Sequence, residues 1–138
     1  MAKFICNEEL KKNSIDSHTA DSAGLYCYAG EAISQNAAAA LREFSIDSSS
    51  HKSKPASHNL LKKTHLILCM TNSIKNTIQI SFPEFSDKLK LLKNFSNNDA
   101  EKNEDISDPF GGDLFVYKKT RDEIHECIKS LIVSIRGN

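Results

Sequence analysis

The chain has 138 residues with 18 basic and 18 acidic side chains, and 39% of its residues are hydrophobic. This length suits one core, so we expect a single domain over residues 1–138. The balanced charge argues against a dedicated nucleic-acid binder, and no apolar run approaches the roughly 20 residues of a membrane span. The first residues lack the apolar region of a secretory signal, which predicts a cytoplasmic protein.

The first half of the chain is predicted to contain helices on either side of a strand. Residues 1–13 and the stretch from Gly30 to Phe44 carry apolar residues at helical spacing among helix-forming residues. Residues 19–25 are small and are predicted to form a strand that ends in a turn at Gly24. Ser57 is well placed to cap a short helix that follows it.

The second half of the chain contains the clearest strand signal. The apolar run at 65–70 (HLILCM) is typical of a buried parallel strand, and residues 88–92 are predicted to form a second one. Thr71 can cap a helix that Pro83 stops, and residues 117–135 form a long amphipathic pattern. This alternation predicts an α/β fold of three layers, with a short parallel sheet flanked by helices.

Three polar turns are expected to meet at one edge of that sheet. Ligands of open parallel sheets bind at the carboxyl ends of the strands, where the Gly24 turn, the Thr71 cap and the turn at Asp108 are expected to lie. The polar loop at 94–107 is long enough to be functional or mobile. The sequence therefore predicts one site at this edge.

The cysteines carry no recognisable reactive motif. The sequence contains Cys6, Cys27, Cys69 and Cys127. Their even spread, with neither a C-x-x-C pair nor zinc spacing, is typical of small buried hydrophobic residues in a reducing compartment. A thiolate in a phosphate-binding loop needs an arginine six residues further on. The residues found at that distance are Lys12, Ile33, Lys75 and Val133. No cysteine in this sequence therefore sits in such a loop.

Four ordered segments resemble the low-molecular-weight protein-tyrosine phosphatase family. They are SAG at 22–24, LREFSIDSSSHKSK at 41–54, LILCMTNS at 66–73 and DPFGG at 108–112. The run at 108–124 is especially similar to the bacterial branch, which includes protein-arginine phosphatases. The resemblance covers essentially the whole chain. It implies that family's α/β fold and hydrolysis of phosphate on tyrosine or arginine of a phosphorylated protein, without a metal or organic cofactor.

The same resemblance implies segments that this sequence does not contain. Family members open with a strand and a phosphate-binding loop that carries the nucleophilic cysteine and a phosphate-clamping arginine, and MAKFI at 1–5 aligns with the residues after that loop. The sheet is thus expected to lack its first strand, and the chain as written to be inactive by the family mechanism.

Three interpretations remain open at this point. One is an active phosphatase whose true start lies further upstream. Another is a truncated relative that acts as a non-catalytic binding module, in which a partner strand, or strand exchange in a dimer, fills the slot. The last is a fragment that does not fold alone.

The resemblance assigns roles to four residues. Asp108 matches the general acid that protonates the leaving group, although an aspartate here could also simply start a turn. Phe110 matches an aromatic residue that lines the substrate pocket, with core packing as the alternative. His51 matches a histidine that holds the phosphate loop, with a plain surface histidine as the alternative. Ser22, at the end of the second strand, either supports the same loop or caps a turn.

Overall fold

A computed structural model describes residues 1–137 of the chain. The helices in this range are α1 (Ala2–Lys12), α2 (Gln35–Arg42), α3 (His58–Lys63), α4 (Asn72–Ser81) and α5 (Leu114–Arg136). The strands are β1 (Ile67–Cys69) and β2 (Leu89–Leu91). Short 3-10 helices cover Pro83–Lys88, Leu92–Phe95 and Asp99–Glu101.

The two strands pair in parallel. Ile67 lies opposite Leu89 and Cys69 lies opposite Leu91. Both strands fall inside the runs from which they were predicted, and helices flank the sheet they form. The expected α/β arrangement, a short parallel sheet flanked by helices, is therefore confirmed.

The two faces of the sheet bury different apolar clusters, because successive side chains of a strand point to opposite faces. On one face, Ile67 and Cys69 pack with Ile78 of α4. On the other face, Leu68 packs against a cluster drawn mainly from α1, α5 and the segments next to them. The buried members of this cluster are Ile5, Leu10, Leu41, Ile46, Leu92, Ile106, Ile124, Cys127, Ile128 and Ile132. These clusters place α4 on one side of the sheet and α1 and α5 on the other.

The predicted strand over residues 19–25 is wrong. Only Gly24 pairs, in an isolated parallel bridge to Pro55. Further upstream, the side chain of Asn7 takes the place of a neighbouring strand: its Oδ1 accepts from Ala20 N at 2.8 Å, and its Nδ2 donates to Ala20 O at 2.9 Å. Because this amide satisfies both backbone groups, no strand ladder is needed at that point.

Side-chain caps determine where the helices begin. Ser57 and Thr71 cap α3 and α4, as predicted. Helix α2 begins at Gln35, later than predicted, because the Ser34 side chain caps it there. Helix α5 begins earlier than predicted, directly after its cap Asp113.

A buried arginine ties α5 to the carboxyl end of α2. Arg121 is 6% exposed, and its Nη1 donates to Ala40 O and to Glu43 Oε2, each at 2.8 Å. Its Nε donates to Asp122 Oδ1 at 2.8 Å, and its guanidinium lies 4.1 Å from the centre of the Phe44 ring. The last carbonyl groups of a helix have no partner within the helix, so this arginine acts as a cap from outside.

Removing this cap should destabilise the protein. We expect Arg121→Ala to lower the free energy of unfolding by about 1.5–3 kcal/mol, because Ala40 O loses a charged donor. The exposed Arg42 near the same helix end offers a control, and Arg42→Ala should stay within about 0.5 kcal/mol. Urea unfolding followed by circular dichroism measures both. Equal losses in the two variants would contradict the special role of Arg121.

The cysteines differ in burial. Cys69 and Cys127 are each 2% exposed, whereas Cys6 and Cys27 are half-buried. The prediction that all four are buried therefore holds for two of them. Burial raises the pKa of the Cys69 thiol to about 11, and nearby Lys75 opposes this only in part.

Thiol labelling checks this difference. In the folded chain at about pH 8, we expect iodoacetamide to modify Cys27 while Cys69 remains unmodified, since a protonated, buried thiol is a poor nucleophile. Peptide mass mapping identifies the labelled sites, and the urea-unfolded chain, in which all cysteines should react, serves as the control. Rapid labelling of Cys69 before unfolding would disprove the prediction.

Candidate active site

The loop that leads to Asp108 is attached at the carboxyl end of β1. Met70 is the residue after this strand, and its carbonyl oxygen accepts a hydrogen bond from Ile106 N at 2.8 Å. Ile106 is 2% exposed, so the attachment is also buried. The segment before Asp108 thus starts from the sheet edge at which open parallel sheets bind ligands.

Asp108 begins a turn that keeps its carboxyl group at the surface. Its Oδ1 accepts a hydrogen bond from Phe110 N at 3.0 Å. The turn closes with a second hydrogen bond, from Gly112 N to Pro109 O at 2.9 Å. Asp108 is therefore a turn-forming residue. That role leaves its exposed carboxyl group accessible to a ligand.

Two glycines are required in this turn for different reasons. Gly111 has φ +82°, in the left-handed region that residues with a side chain rarely adopt. Gly112 has an ordinary φ, but a Cβ atom on it would lie 2.9 Å from Val116 Cβ and 3.0 Å from Pro109 O. The turn can therefore pack closely against the first turn of α5.

Phe110 projects into solvent beside this carboxyl group. It is 84% exposed, so its interpretation as a core residue is wrong. Tyr26 and Tyr28 are similarly exposed, in the loop between the Gly24 bridge and α2. Sequence analysis did not single out these tyrosines. The available signal was two large aromatic residues in a short segment bounded by glycines.

His51 lies near the first residues of α1. Its ring packs edge-on against the ring of Phe4, with the centroids 6.0 Å apart, and its backbone N donates to Ser48 O at 3.1 Å. His51 is thus half-buried, with one face of its surroundings formed by α1. Burial lowers the pKa of His51, and the positive charge of Lys3 lowers it further. These effects favour a neutral imidazole, which can both donate and accept a hydrogen bond.

Ser22 lies next to a cluster of charged side chains, not at the end of a strand. Its backbone N donates to Asp21 Oδ1 at 2.9 Å, and Asp21 also pairs with Lys54 and, at 3.3 Å, with Lys3. Burial opposes ionisation of Asp21, but the hydrogen bonds from Lys54, Ser22 and Lys3 lower its pKa to about 2. Lys3 also acts on the titration of His51, so this cluster and His51 both lie at the start of α1.

Met1, the residue directly before α1, contacts both α2 and α5. The Met1 side chain packs with Ala37, Ala40 and Tyr117, where α2 meets the first turns of α5. Met1 therefore packs where α2 meets the start of α5, the helix that follows the Asp108 turn.

Two further observations concern ligands and membranes. Within residues 1–137, no three or more His, Cys, Asp or Glu side chains are grouped so that they could hold a metal ion. None of the helices in that range combines the length and the apolar character needed to cross a membrane.

Comparison with known proteins gives one consistent family. The profile of the low molecular weight phosphotyrosine protein phosphatase family matches residues 1–138. The chain is 32% identical over 115 residues to a protein-arginine-phosphatase of Bacillus subtilis, covering 83% of this chain and 74% of that protein. It is 37% identical over 111 residues to a protein-arginine-phosphatase of Geobacillus stearothermophilus, covering 80% of this chain and 72% of that protein.

The fold of this chain also matches a solved structure. The crystal structure of a YwlE mutant from Bacillus subtilis superposes with a TM-score of 0.90 at 28% sequence identity. The match covers 98% of this chain and 88% of that chain. The chain belongs to the low molecular weight phosphotyrosine protein phosphatase family.

Proposed function

We propose that this protein removes phosphate from arginine or tyrosine side chains of a phosphorylated cytoplasmic protein, with Asp108 as the general acid. Membership of the family supports a phosphatase, which is a hydrolase. The names of the two bacterial relatives favour phosphoarginine as the substrate. The single observation that carries the proposal is the surface carboxyl group of Asp108, which is held in a tight turn after the sheet edge.

Asp108 would serve both halves of the reaction. In the first, a thiolate attacks phosphorus, the bond to the tyrosine oxygen or arginine nitrogen breaks, and Asp108 gives its proton to the leaving atom. In the second, water attacks the phosphorus of the phosphocysteine, the bond from sulfur to phosphorus breaks, and Asp108 takes a proton from that water, which restores the thiolate and releases inorganic phosphate. Phe110, exposed two residues further on, would line the pocket beside the leaving group.

The remaining proposed residues would act around the phosphate. His51, whose environment favours the neutral imidazole, and Ser22 both lie by the start of α1, and they would support a loop that binds the phosphate oxygens. Covalent phosphoryl transfer also needs a thiolate and a cradle of backbone N–H groups. No cysteine among the 138 residues has an arginine six positions later. The proposal therefore requires these groups from a segment outside this sequence.

A second candidate function is binding without hydrolysis. The observation that favours it is the two-stranded sheet of residues 1–137, in which β1 pairs with a strand on one edge only. A partner strand, or a strand exchanged in a dimer, would then pair with the free edge of β1. The two functions share the same fold and differ in whether a thiolate reaches the phosphate.

Native protein distinguishes the two functions. We expect protein isolated from its own cells to exceed the 15.4 kDa of this chain by mass spectrometry, and to hydrolyse a phosphoarginine or phosphotyrosine peptide. The 138-residue chain alone should release phosphate no faster than buffer. Hydrolysis by the 138-residue chain would disprove the need for an outside nucleophile. A native mass of 15.4 kDa, with peptide binding but no hydrolysis, would instead establish the binding module.

Substitution of Asp108 tests the acid itself. In the hydrolysing form, Asp108→Asn should lower kcat on phenyl phosphate by about 10²–10⁴-fold, because the leaving phenolate then departs without a proton. The amide oxygen can still accept from Phe110 N, so the melting temperature should be unchanged. Asp99→Asn, on an exposed carboxylate of the preceding loop, is the matched control and should keep kcat. Wild-type activity in Asp108→Asn would overturn the assignment.

A further inference from the structure

We propose that Asn36 and Asn72 are positioning residues for the acid turn, residues 108–112, and so set where Asp108 meets the leaving group. Asn72 holds the loop just before this turn, and Asn36 holds the last residue of the turn. This inference rests on the proposed function of Asp108 as general acid. The two asparagines belong to different helices, α2 and α4. Their side chains contact the loop and the turn, so they would act through Asp108.

Asn72 anchors the chain just before the acid turn. It is the first residue of α4, and its Nδ2 donates to Asp105 Oδ1 and to Asn103 O, each at 2.9 Å. Its backbone N donates to the same Asp105 Oδ1 at 2.7 Å. Asp105 thereby accepts two hydrogen bonds from one residue, which defines both its position and its orientation.

The loop needs such an anchor because it is polar. Ile106 is the one large apolar residue in the sequence from 96 to 107. It is buried in the core cluster on the side of the sheet that α1 and α5 cover. Asn103 has φ +71°, a left-handed conformation that asparagine tolerates better than most residues. The amide of Asn72 donates to the carbonyl of this strained residue and so stabilises the bend that carries the chain toward Asp108.

Asn36 holds the other end of the acid turn. It lies in the first turn of α2, and its Nδ2 donates to Gly112 O at 3.3 Å. Gly112 N is already bonded within the turn, and no space is left for a side chain on this residue. The direction of its carbonyl group is therefore well defined, and Asn36 ties it to a helix packed on α5 through Ala37 and Ala40.

The position of the turn matters because general acid catalysis depends on short distances. The proton must pass between heavy atoms about 2.6–3.2 Å apart. A displacement of about 1 Å can cost about 10²-fold in rate. Asp108 and Phe110 are exposed, so little packing holds the middle of the turn. The residues on either side must then position the turn. Asn72 of α4 bonds the loop before it, and Asn36 of α2 bonds Gly112 at its end.

The contacts can be tested in the 138-residue chain without any activity. We expect Asn36→Ala and Asn72→Ala to accelerate amide hydrogen exchange at Phe110 and Gly112 by about 3- to 10-fold, the factor that one hydrogen bond typically supplies. Exchange at Ile128 in the core of α5 should not change. The controls are Gln35→Ala and Asn76→Ala, on the same two helices.

Three results of this experiment would overturn the inference. They are unchanged exchange at Phe110 and Gly112, equal acceleration at Ile128, or the same effect in the controls. Asn36→Asp is a second variant that keeps the side-chain shape and removes the donor, should alanine prevent folding. It should accelerate exchange at Gly112 as Asn36→Ala does, and failure to do so would also contradict the proposal.

The catalytic consequence is tested in the hydrolysing form with two aryl phosphates. For phenyl phosphate, each asparagine variant should lower kcat about 10-fold, because the leaving group needs a proton. For dinitrophenyl phosphate, whose phenolate is stable without a proton, kcat should change less than about 2-fold. Equal losses on both substrates would indicate a merely structural role and overturn the inference.

Asp108→Asn, measured in parallel, separates a failure of the proposed acid from a failure of the proposed positioning residues. Should this variant lose as much on dinitrophenyl phosphate as on phenyl phosphate, the acid assignment itself fails. The exchange experiment does not depend on that assignment. It therefore still decides whether the asparagines hold the turn.

Discussion

The arrangement of the helices depends on the hydrogen bonds of the buried Arg121 guanidinium. It holds the carboxyl end of α2, through Ala40 O, against the middle of α5. Helix α2 is only eight residues long, so fixing one end of it also fixes the other. Asn36 lies at that other end and meets Gly112 of the acid turn. A charge buried between two helices is thus connected, through one short rigid element, to the residues beside Asp108.

A second polar contact attaches α1 to the same place. His125 Nε2 and Glu9 Oε1 are 2.9 Å apart, and Glu9 is only 8% exposed. Burial opposes ionisation of Glu9, but the hydrogen bond from His125 and the charge of Lys12 keep its pKa below the usual value. The His125 ring lies 5.1 Å from that of Phe44, which also stacks on the Arg121 guanidinium. One aromatic ring therefore joins the contacts that attach α1 and α2 to α5.

Local patterns predicted the strands, most helices and the acid turn, because each of these depends on neighbouring residues. The turn at Asp108 is such a case, since its aspartate, proline and glycines are adjacent in sequence. The strand predicted at 19–25 failed because the amide of Asn7, distant along the chain, satisfies the backbone that a strand would have used. Asn36 and Asn72 were missed for the same physical reason: their partners lie 76 and 33 positions away. The periodicity of apolar residues in a sequence does not predict a contact between the start of a helix and a distant loop.

The helices that carry these two asparagines pack on opposite faces of the sheet. Helix α4 buries Ile78 on one face, while α2 packs with α5 on the other. The segment from Asn103 to Gly112 is consequently held by helices that pack on opposite faces of the sheet. A bulkier side chain at Ile78 or Ala40 would spread the layers and pull the carboxyl group of Asp108 away from its usual height above the sheet edge. For the general acid that we propose Asp108 to be, tolerance for different leaving groups would then be adjustable by core substitutions that never contact the substrate.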